Sequence, residues 1–111
     1  MRILNTSVFV GPNRFALFPV IHHEIDLGVL EDWPTARLGA AFIDPLIAAL
    51  PDLAEHQCSH KEPGGFIRRM REDEGTWMGH VFEHICLEIQ GLAGIEVTFG
   101  KTRSLKDKGQ Y

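Results

Sequence analysis

The chain has few of the features that would place it outside an ordinary cytoplasmic environment. Its 111 residues include two cysteines, Cys58 and Cys86, which form no C-x-x-C pair and are too few for a disulfide scaffold, so we expect both thiols to be reduced. No apolar run approaches the length of a membrane span, and the first residues lack the apolar stretch of a signal peptide. These features predict a cytoplasmic protein with no membrane partner.

Basic residues are also scarce. Lys and Arg total 11 against 15 Asp and Glu, for a formal net charge of −4, whereas a general nucleic-acid binder needs a basic surface for its phosphate contacts. The tripeptide Gly100-Lys101-Thr102 is similar to the end of a P-loop, but Ile95 stands where that motif requires its first glycine. We therefore expect neither a nucleic-acid partner nor an ATP site in this segment.

Length and hydrophobic pattern predict one small domain over residues 1–111. A hydrophobic content of 44% in 111 residues can bury a single core. Extended segments near residues 2–10, 16–27 and 95–99 and helical periodicity near residues 36–50 and 77–92 predict an α+β fold, with a small, mostly antiparallel sheet packed against two helices. Thr35 is the expected N-cap of the first helix, which Pro45 should kink or break.

The strongest chemical signal is an H-x-x-E-H element in the second predicted helix. On an α-helix, His80 and His84 lie one turn apart and can converge on one Zn²⁺ ion, while Glu83 sits beside them as the candidate general base. Glu88 lies two turns from His80 on roughly the same face. It is therefore the expected third metal ligand.

The same segment also fits an ordinary amphipathic helix that needs no metal. Its apolar residues share one side of the helix. The polar residues on the other side are His80, Glu83, His84, Glu88 and Gln90. A solvated helix face usually includes Lys or Arg, and this face has none.

Two other groups of histidines could in principle supply metal ligands. His56, Cys58 and His60 form one such set, although spacing by two suits a strand face rather than a helix. His22 and His23 occupy adjacent strand positions, so at most one of the two rings can face any given site.

Five further segments are distinctive as an ordered set. They are Val10-Gly11-Pro12-Asn13, Leu30-Glu31-Asp32-Trp33-Pro34, Glu62-Pro63-Gly64-Gly65-Phe66, Thr76-Trp77-Met78-Gly79-His80 leading into Glu83-His84, and Phe99-Gly100-Lys101-Thr102-Arg103. In this order they closely resemble the N-terminal domain of cyanophycin synthetase. The resemblance spans essentially the whole chain and is more specific than the H-x-x-E-H element alone.

The resemblance implies a large cytoplasmic enzyme that builds cyanophycin, a poly-aspartate chain with arginine joined to each side-chain carboxylate. In that family an ATP-grasp domain adds aspartate, a Mur-ligase-like domain adds arginine, and the N-terminal domain holds the growing polymer. In some members the N-terminal domain is also thought to cut the polymer into primers by metal-dependent hydrolysis. Because the sequence stops at Tyr111, we expect it to lack both ligase domains and a final strand and helix. Its expected protein partner is the rest of the synthetase or, through an exposed sheet edge, a second copy.

Two functions follow from the resemblance and the residues together. In the favoured hypothesis, the chain binds the guanidinium and carboxylate groups of cyanophycin by charge-assisted bonds. The expected polymer-binding residues are Arg68, Arg69, Arg71, Glu72, Asp73, Glu74, Lys101 and Arg103. In the alternative, His80, His84 and Glu88 hold Zn²⁺ while Glu83 activates water to hydrolyse the polymer. A purely structural domain is the remaining hypothesis.

Overall fold

The computed structural model describes residues 1–58, 62–97 and 99–103. The chain divides into two compact units, Met1–Leu30 and Glu31–Tyr111. Within the described ranges, the first unit contains two strands and the second contains four α-helices, which confirms the predicted α+β class. No helix in these ranges is long and apolar enough to cross a membrane. Neither cysteine forms a disulfide.

The first unit is an antiparallel hairpin of β1 (Arg2–Phe9) and β2 (Val20–Asp26). The first strand agrees with the sequence, whereas the second begins later than the expected residue 16. Asn13 explains the delay, because its side-chain oxygen accepts hydrogen bonds from the N–H groups of Phe15 and Ala16 at 2.9 and 3.2 Å. Residues whose backbone N–H groups donate such a local bond are held in the connecting loop rather than in the ladder.

The first predicted helix is divided into α1 (Thr35–Leu38) and α2 (Ala40–Ala49). The break falls at Gly39, and the helix continues through Pro45, so the expectation that the proline breaks the helix was wrong. Gly39 has a φ of 62°, in the left-handed region that glycine enters with little steric cost and that ends a helical run. Pro45 lies inside α2, where it removes a backbone donor without interrupting the helix.

The second half of the chain contains α3 (Gly65–Arg71) and α4 (Met78–Leu92). The bounds of α4 match the predicted helix near residues 77–92. The expected strand near residues 95–99 is not seen at its described positions, 95–97 and 99. The Ile95 N–H is instead bonded to the Gln90 carbonyl at 2.9 Å, so this backbone completes the end of α4.

The core of the second unit draws side chains from α2, α3, α4 and a 3-10 helix at Pro51–Glu55. The side chains that are at most 2% exposed include Ile43, Leu53, Phe66, Met70 and Val81. Full burial of a large apolar side chain stabilises a fold by about 1.5–3 kcal/mol. The core therefore holds in place α3 and α4, and α4 is the helix that carries His80, Glu83 and His84.

The buried face of α4 combines residues from the apolar and the polar sides that the sequence pattern predicts. Its buried residues are Met78, Val81, His84 and Glu88, whereas the apolar Ile89 and Leu92 are 53% and 66% exposed. The buried residues recur every three or four positions, so they form one helical stripe. Two polar side chains of α4, those of His84 and Glu88, therefore lie inside the second unit.

A fully buried threonine links the starts of α1 and α4. The expectation that Thr35 is an N-cap was wrong, because the cap position is Pro34 and Thr35 is the first helical residue. The Thr35 hydroxyl donates a hydrogen bond to the Met70 carbonyl and accepts one from the Thr76 N–H, both at 2.9 Å. One side chain thus ties α1, the end of α3 and the segment that leads into α4.

Removal of the Thr35 hydroxyl should therefore be costly. Thr35→Val keeps the side-chain volume but takes this partner from two buried backbone groups, so we expect the free energy of unfolding to fall by about 2–4 kcal/mol in urea denaturation. Thr35→Ser keeps the hydroxyl and should lose only about 1 kcal/mol for the buried methyl group. Equal stability of the two variants would contradict the proposed role of the hydroxyl.

Candidate functional site

Helix α4 brings two imidazole rings together at the second unit's interior. The Nε2 atoms of His80 and His84 lie 3.2 Å apart, and the two rings meet edge to face with their centroids 4.9 Å apart. The four-residue spacing places one ring above the other on the same side of the helix. The inner nitrogens of both rings therefore face a common point.

Cys58 completes a group of three potential metal donors. Its Sγ atom lies 3.5 Å from His80 Nε2, and the donor atoms of Cys58, His80 and His84 all lie within 4.8 Å of one another. Tetrahedral zinc, with its usual bond lengths, holds two nitrogens about 3.3 Å apart and a nitrogen and a sulphur about 3.5 Å apart. The His80–His84 and Cys58–His80 distances fit those values, and the mixed N and S donors suit zinc.

The outer nitrogens of the two rings also have partners. His80 Nδ1 lies 2.8 Å from the Thr76 hydroxyl, and His84 Nδ1 lies 3.0 Å from His56 Nδ1. Partners on the far nitrogen orient an imidazole ring toward a ligand or metal on its near nitrogen. Both rings are therefore held with Nε2 turned toward Cys58.

Glu88 does not contact the donor group directly, because the side chain of His56 lies between Glu88 and His84. Its Oε2 atom lies 3.0 Å from His56 Nε2, and its side chain is buried. The geometry groups Cys58, and not the expected Glu88, with the two histidines of α4. His60, the other member of the His-x-Cys-x-His pattern, lies outside the described residues.

Burial sets the charge of the two histidines. It lowers the pKa of His80, an effect that Glu83 opposes and Arg69 reinforces. Burial, with repulsion from His80 and His56, lowers the pKa of His84 to about 4. Both rings are therefore neutral near pH 7, which is the state in which imidazole donates a lone pair to a metal.

Glu83 lies beside the cluster under a loop from the end of the described chain. The Thr102 hydroxyl donates a hydrogen bond to the Glu83 carboxylate and lies 3.4 Å from the Gly79 carbonyl. A side chain at Gly100 would collide with Glu83, since a Cβ there would lie 2.7 Å from its Cγ. The loop approaches closely because residue 100 is glycine.

A pocket of about 590 Å³ opens beside the cluster. Its polar lining residues include Cys58, Arg68, Arg69, Glu72, Thr76, His80, Glu83, Lys101 and Thr102. Of the residues predicted to bind the polymer, Arg68, Arg69, Glu72 and Lys101 thus face this pocket. The pocket lining does not include the other four, Arg71, Asp73, Glu74 and Arg103.

The charged residues of α3 are already paired in the structure. Arg68 contacts Glu62 and Arg69 contacts Glu72, each pair at 2.7 Å, whereas Arg71 contacts Asp44 at 2.8 Å. These side chains are roughly half exposed, and exposed pairs of this kind stabilise a fold by only about 0–1 kcal/mol. A ligand with both charge signs can therefore exchange partners with them at little cost.

Sequence reasoning did not identify Thr76 and Thr102 as parts of this site, and it considered His56 only as a possible metal ligand. His56, Thr76 and Thr102 contact the motif residues across 19 to 28 positions of sequence or from the turn before α4. The spacing of a motif along one helix does not predict which residues from other segments will contact it. Only the His-x-Cys-x-His pattern pointed toward Cys58.

The described geometry is that of a small α+β domain with a cluster of metal donors on the wall of a charged pocket. A family model for the cyanophycin synthase-like N-terminal domain matches residues 22–111. Cyanophycin synthetases from Geminocystis herdmanii and Trichormus variabilis are each 42% identical to the chain, and one from Crocosphaera subtropica is 41% identical. Each alignment covers 100% of this chain. No solved structure matches the chain.

The chain belongs to the cyanophycin synthase-like N-terminal domain family, which confirms the resemblance found in the sequence. It spans only 12–13% of the length of these curated relatives.

The stability of the metal-free chain should depend on pH through His84. The unfolded chain protonates this histidine near pH 6.5 and the folded chain only near pH 4, so between these values the unfolded state binds more protons. The free energy of unfolding should therefore fall as the pH drops from 6.5 toward 4. Urea denaturation with a chelator present measures this slope. An unchanged slope in His84→Gln would show that another group is responsible.

Proposed function

We propose that this chain binds cyanophycin in the pocket beside His80 and Glu83, as the N-terminal domain of a cytoplasmic cyanophycin synthetase. Its partners would be the growing polymer and the remaining segments of the synthetase. The observation that carries the proposal is the mixed charge of the pocket wall, where Arg69 and Lys101 face the same space as Glu72. Each repeat of the polymer carries a guanidinium and a carboxylate, so it offers a partner for either sign.

Recognition would rest on exchange of ion-pair partners. The Arg69–Glu72 pair is about half exposed on both sides, so its opening loses little free energy. Arg69 could then hold a carboxylate of the polymer by two parallel hydrogen bonds, while Glu72 accepts a guanidinium. Because one such contact is weak, useful affinity requires several repeats to bind along the surface.

Binding should distinguish arginines inside the pocket from those outside it. Arg69→Gln should weaken binding of short aspartate-arginine oligomers by about tenfold, equivalent to about 1.4 kcal/mol, in fluorescence anisotropy or calorimetry. Arg71→Gln is the matched control, because it removes the same charge from the same helix but outside the pocket lining. Equal weakening by both variants would contradict binding in this pocket.

The affinity of the unsubstituted chain should also fall as salt rises. The proposed contacts are ionic, and charges on the surface are screened beyond about 8–10 Å at physiological ionic strength. Affinity that stays constant from low to high salt would refute an ionic binding mode.

Hydrolysis of the polymer is a second candidate function, favoured by one specific observation. The donor group of Cys58, His80 and His84 and the carboxylate of Glu83 border the same pocket. A zinc ion held by the three donors would polarise a peptide carbonyl and lower the pKa of a water molecule. The binding residues would then deliver the polymer backbone to the reactive groups.

Within that function, Glu83 would act as the general base. Its carboxylate can accept a proton from the attacking water and return it to the leaving amine. The Thr102 hydroxyl holds one carboxylate oxygen in place, and the other remains to accept the proton. Arg69 and Lys101 would position a neighbouring carboxylate of the polymer.

Substitutions should separate metal binding from catalysis. Glu83→Gln should retain bound zinc but abolish release of short fragments from purified cyanophycin, because an amide cannot accept the proton. Cys58→Ser and His84→Ala should lose zinc and cleavage together. Zinc content is measured by elemental analysis, and cleavage is measured with added Zn²⁺ and with chelator. Retained cleavage in Glu83→Gln, or cleavage indifferent to chelator, would rule out the mechanism.

A further inference from the structure

A continuous series of polar contacts runs through the three histidines of the second unit. Glu88 Oε2 lies 3.0 Å from His56 Nε2, and His56 Nδ1 lies 3.0 Å from His84 Nδ1. His84 Nε2 then lies 3.2 Å from His80 Nε2, whose ring ends the series at the Thr76 hydroxyl. The series begins at a buried carboxylate and passes through the donor group.

The chemistry of each group restricts where the protons can lie. A carboxylate oxygen accepts hydrogen bonds, so the contact with Glu88 places an N–H on His56 Nε2. With one ring proton, on Nε2, His56 carries a lone pair on Nδ1, and His84 Nδ1 is the donor that lies 3.0 Å from it. With its single proton on Nδ1, a neutral His84 has a lone pair on Nε2, directed toward His80 and Cys58.

We propose that Glu88 and His56 are positioning residues that place the proton of His84 on Nδ1 and thereby leave its Nε2 lone pair available to a metal ion. The use of that lone pair rests on the metal site proposed above. The order of the hydrogen bonds does not rest on that metal site, because the hydrogen bonds exist in the chain without a metal.

Burial explains why a carboxylate at position 88 has this effect. Glu88 is 8% exposed and His84 is 5% exposed, so water cannot replace a missing partner for either group. Phe66 stacks on the His84 ring with centroids 3.8 Å apart and planes 14° apart, which fixes the ring against rotation. The ring orientation is set by packing, and the proton position is set by Glu88 through His56.

This assignment differs from the expectation that Glu88 is itself the third metal ligand. A ligand at position 88 would contact the metal, whereas here the imidazole of His56 separates Glu88 from His84. Residues behind metal-bound histidines change metal affinity by about 10–100-fold without changing the ligand set. The two assignments therefore predict different results for the same substitutions.

The test measures the proton position on His84 in the metal-free chain. Side-chain ¹⁵N shifts and long-range ¹H–¹⁵N couplings at neutral pH should show the Nδ1–H form in the unsubstituted chain. In Glu88→Leu, which removes the acceptor, His84 should shift substantially toward the Nε2–H form. Glu88→Gln is the matched variant, since its amide oxygen can still accept from His56 and should preserve the Nδ1–H form. An Nε2–H form in the unsubstituted chain, or an unchanged Nδ1–H form in Glu88→Leu, would overturn the proposal.

Metal titration gives a second, separate readout. Glu88→Leu should bind Zn²⁺ about 10–100-fold more weakly in competition with a chelator. Its Co²⁺ form should keep the thiolate-to-cobalt absorption band of the unsubstituted chain, because Cys58 remains the sulphur donor. A changed Co²⁺ coordination spectrum in both Glu88 variants would identify Glu88 as a ligand and overturn the positioning role. The Nδ1–H form without any zinc binding would refute the metal site and leave the proton assignment standing.

Discussion

Burial of the histidine face of α4 is the constraint on which the organisation of the second unit depends. A polar group removed from water destabilises a fold unless it gains a hydrogen bond. Among the residues that the structure describes, no buried side-chain nitrogen or oxygen lacks a partner. Burial of His80 and His84 therefore requires hydrogen-bond partners beside the two rings. Thr76 is the partner of His80, His56 is the partner of His84, and Glu88 is the partner of His56, and these contacts restrict the rings to one arrangement.

The apolar core and the polar cluster share one residue. Phe66 is fully buried, contributes to the contact of α3 with its neighbours, and also forms the flat surface on which His84 rests. Helix α3 is short, yet its position is fixed by this burial and by the Thr35 hydroxyl at its end. The geometry of the donor group therefore depends on ordinary core packing as well as on hydrogen bonds.

The pocket places exposed charged side chains next to the donor group of Cys58, His80 and His84. Its basic and acidic residues lie in exposed pairs, while the donor residues behind them are half-buried or buried. Exposed charges change partners easily, and buried rings do not. In the proposed function, the exposed pairs would hold the zwitterionic polymer, while the buried rings present one fixed set of atoms.

Local patterns were enough for much of this description. Period-two alternation identified β1, helical periodicity identified α4, and the spacing of His80, Glu83 and His84 identified α4 as the helix of the candidate site. Each of these patterns depends on residues close in sequence, because regular secondary structure fixes their relative positions. The ordered set of short segments identified the family because the order of residues is a property of the sequence itself.

Tertiary structure decided the features that local patterns misassigned. The sequence pattern divided α4 into an apolar and a polar side, but packing against Phe66 and His56 buried His84 and Glu88 of the polar side together with apolar residues of the same helix. Glu88 has helical spacing to the motif, yet its contact is with His56, and Cys58 joins the donors from a segment 22 residues before His80. Residue spacing constrains neighbours along one helix, whereas contacts across the fold depend on how separate elements meet.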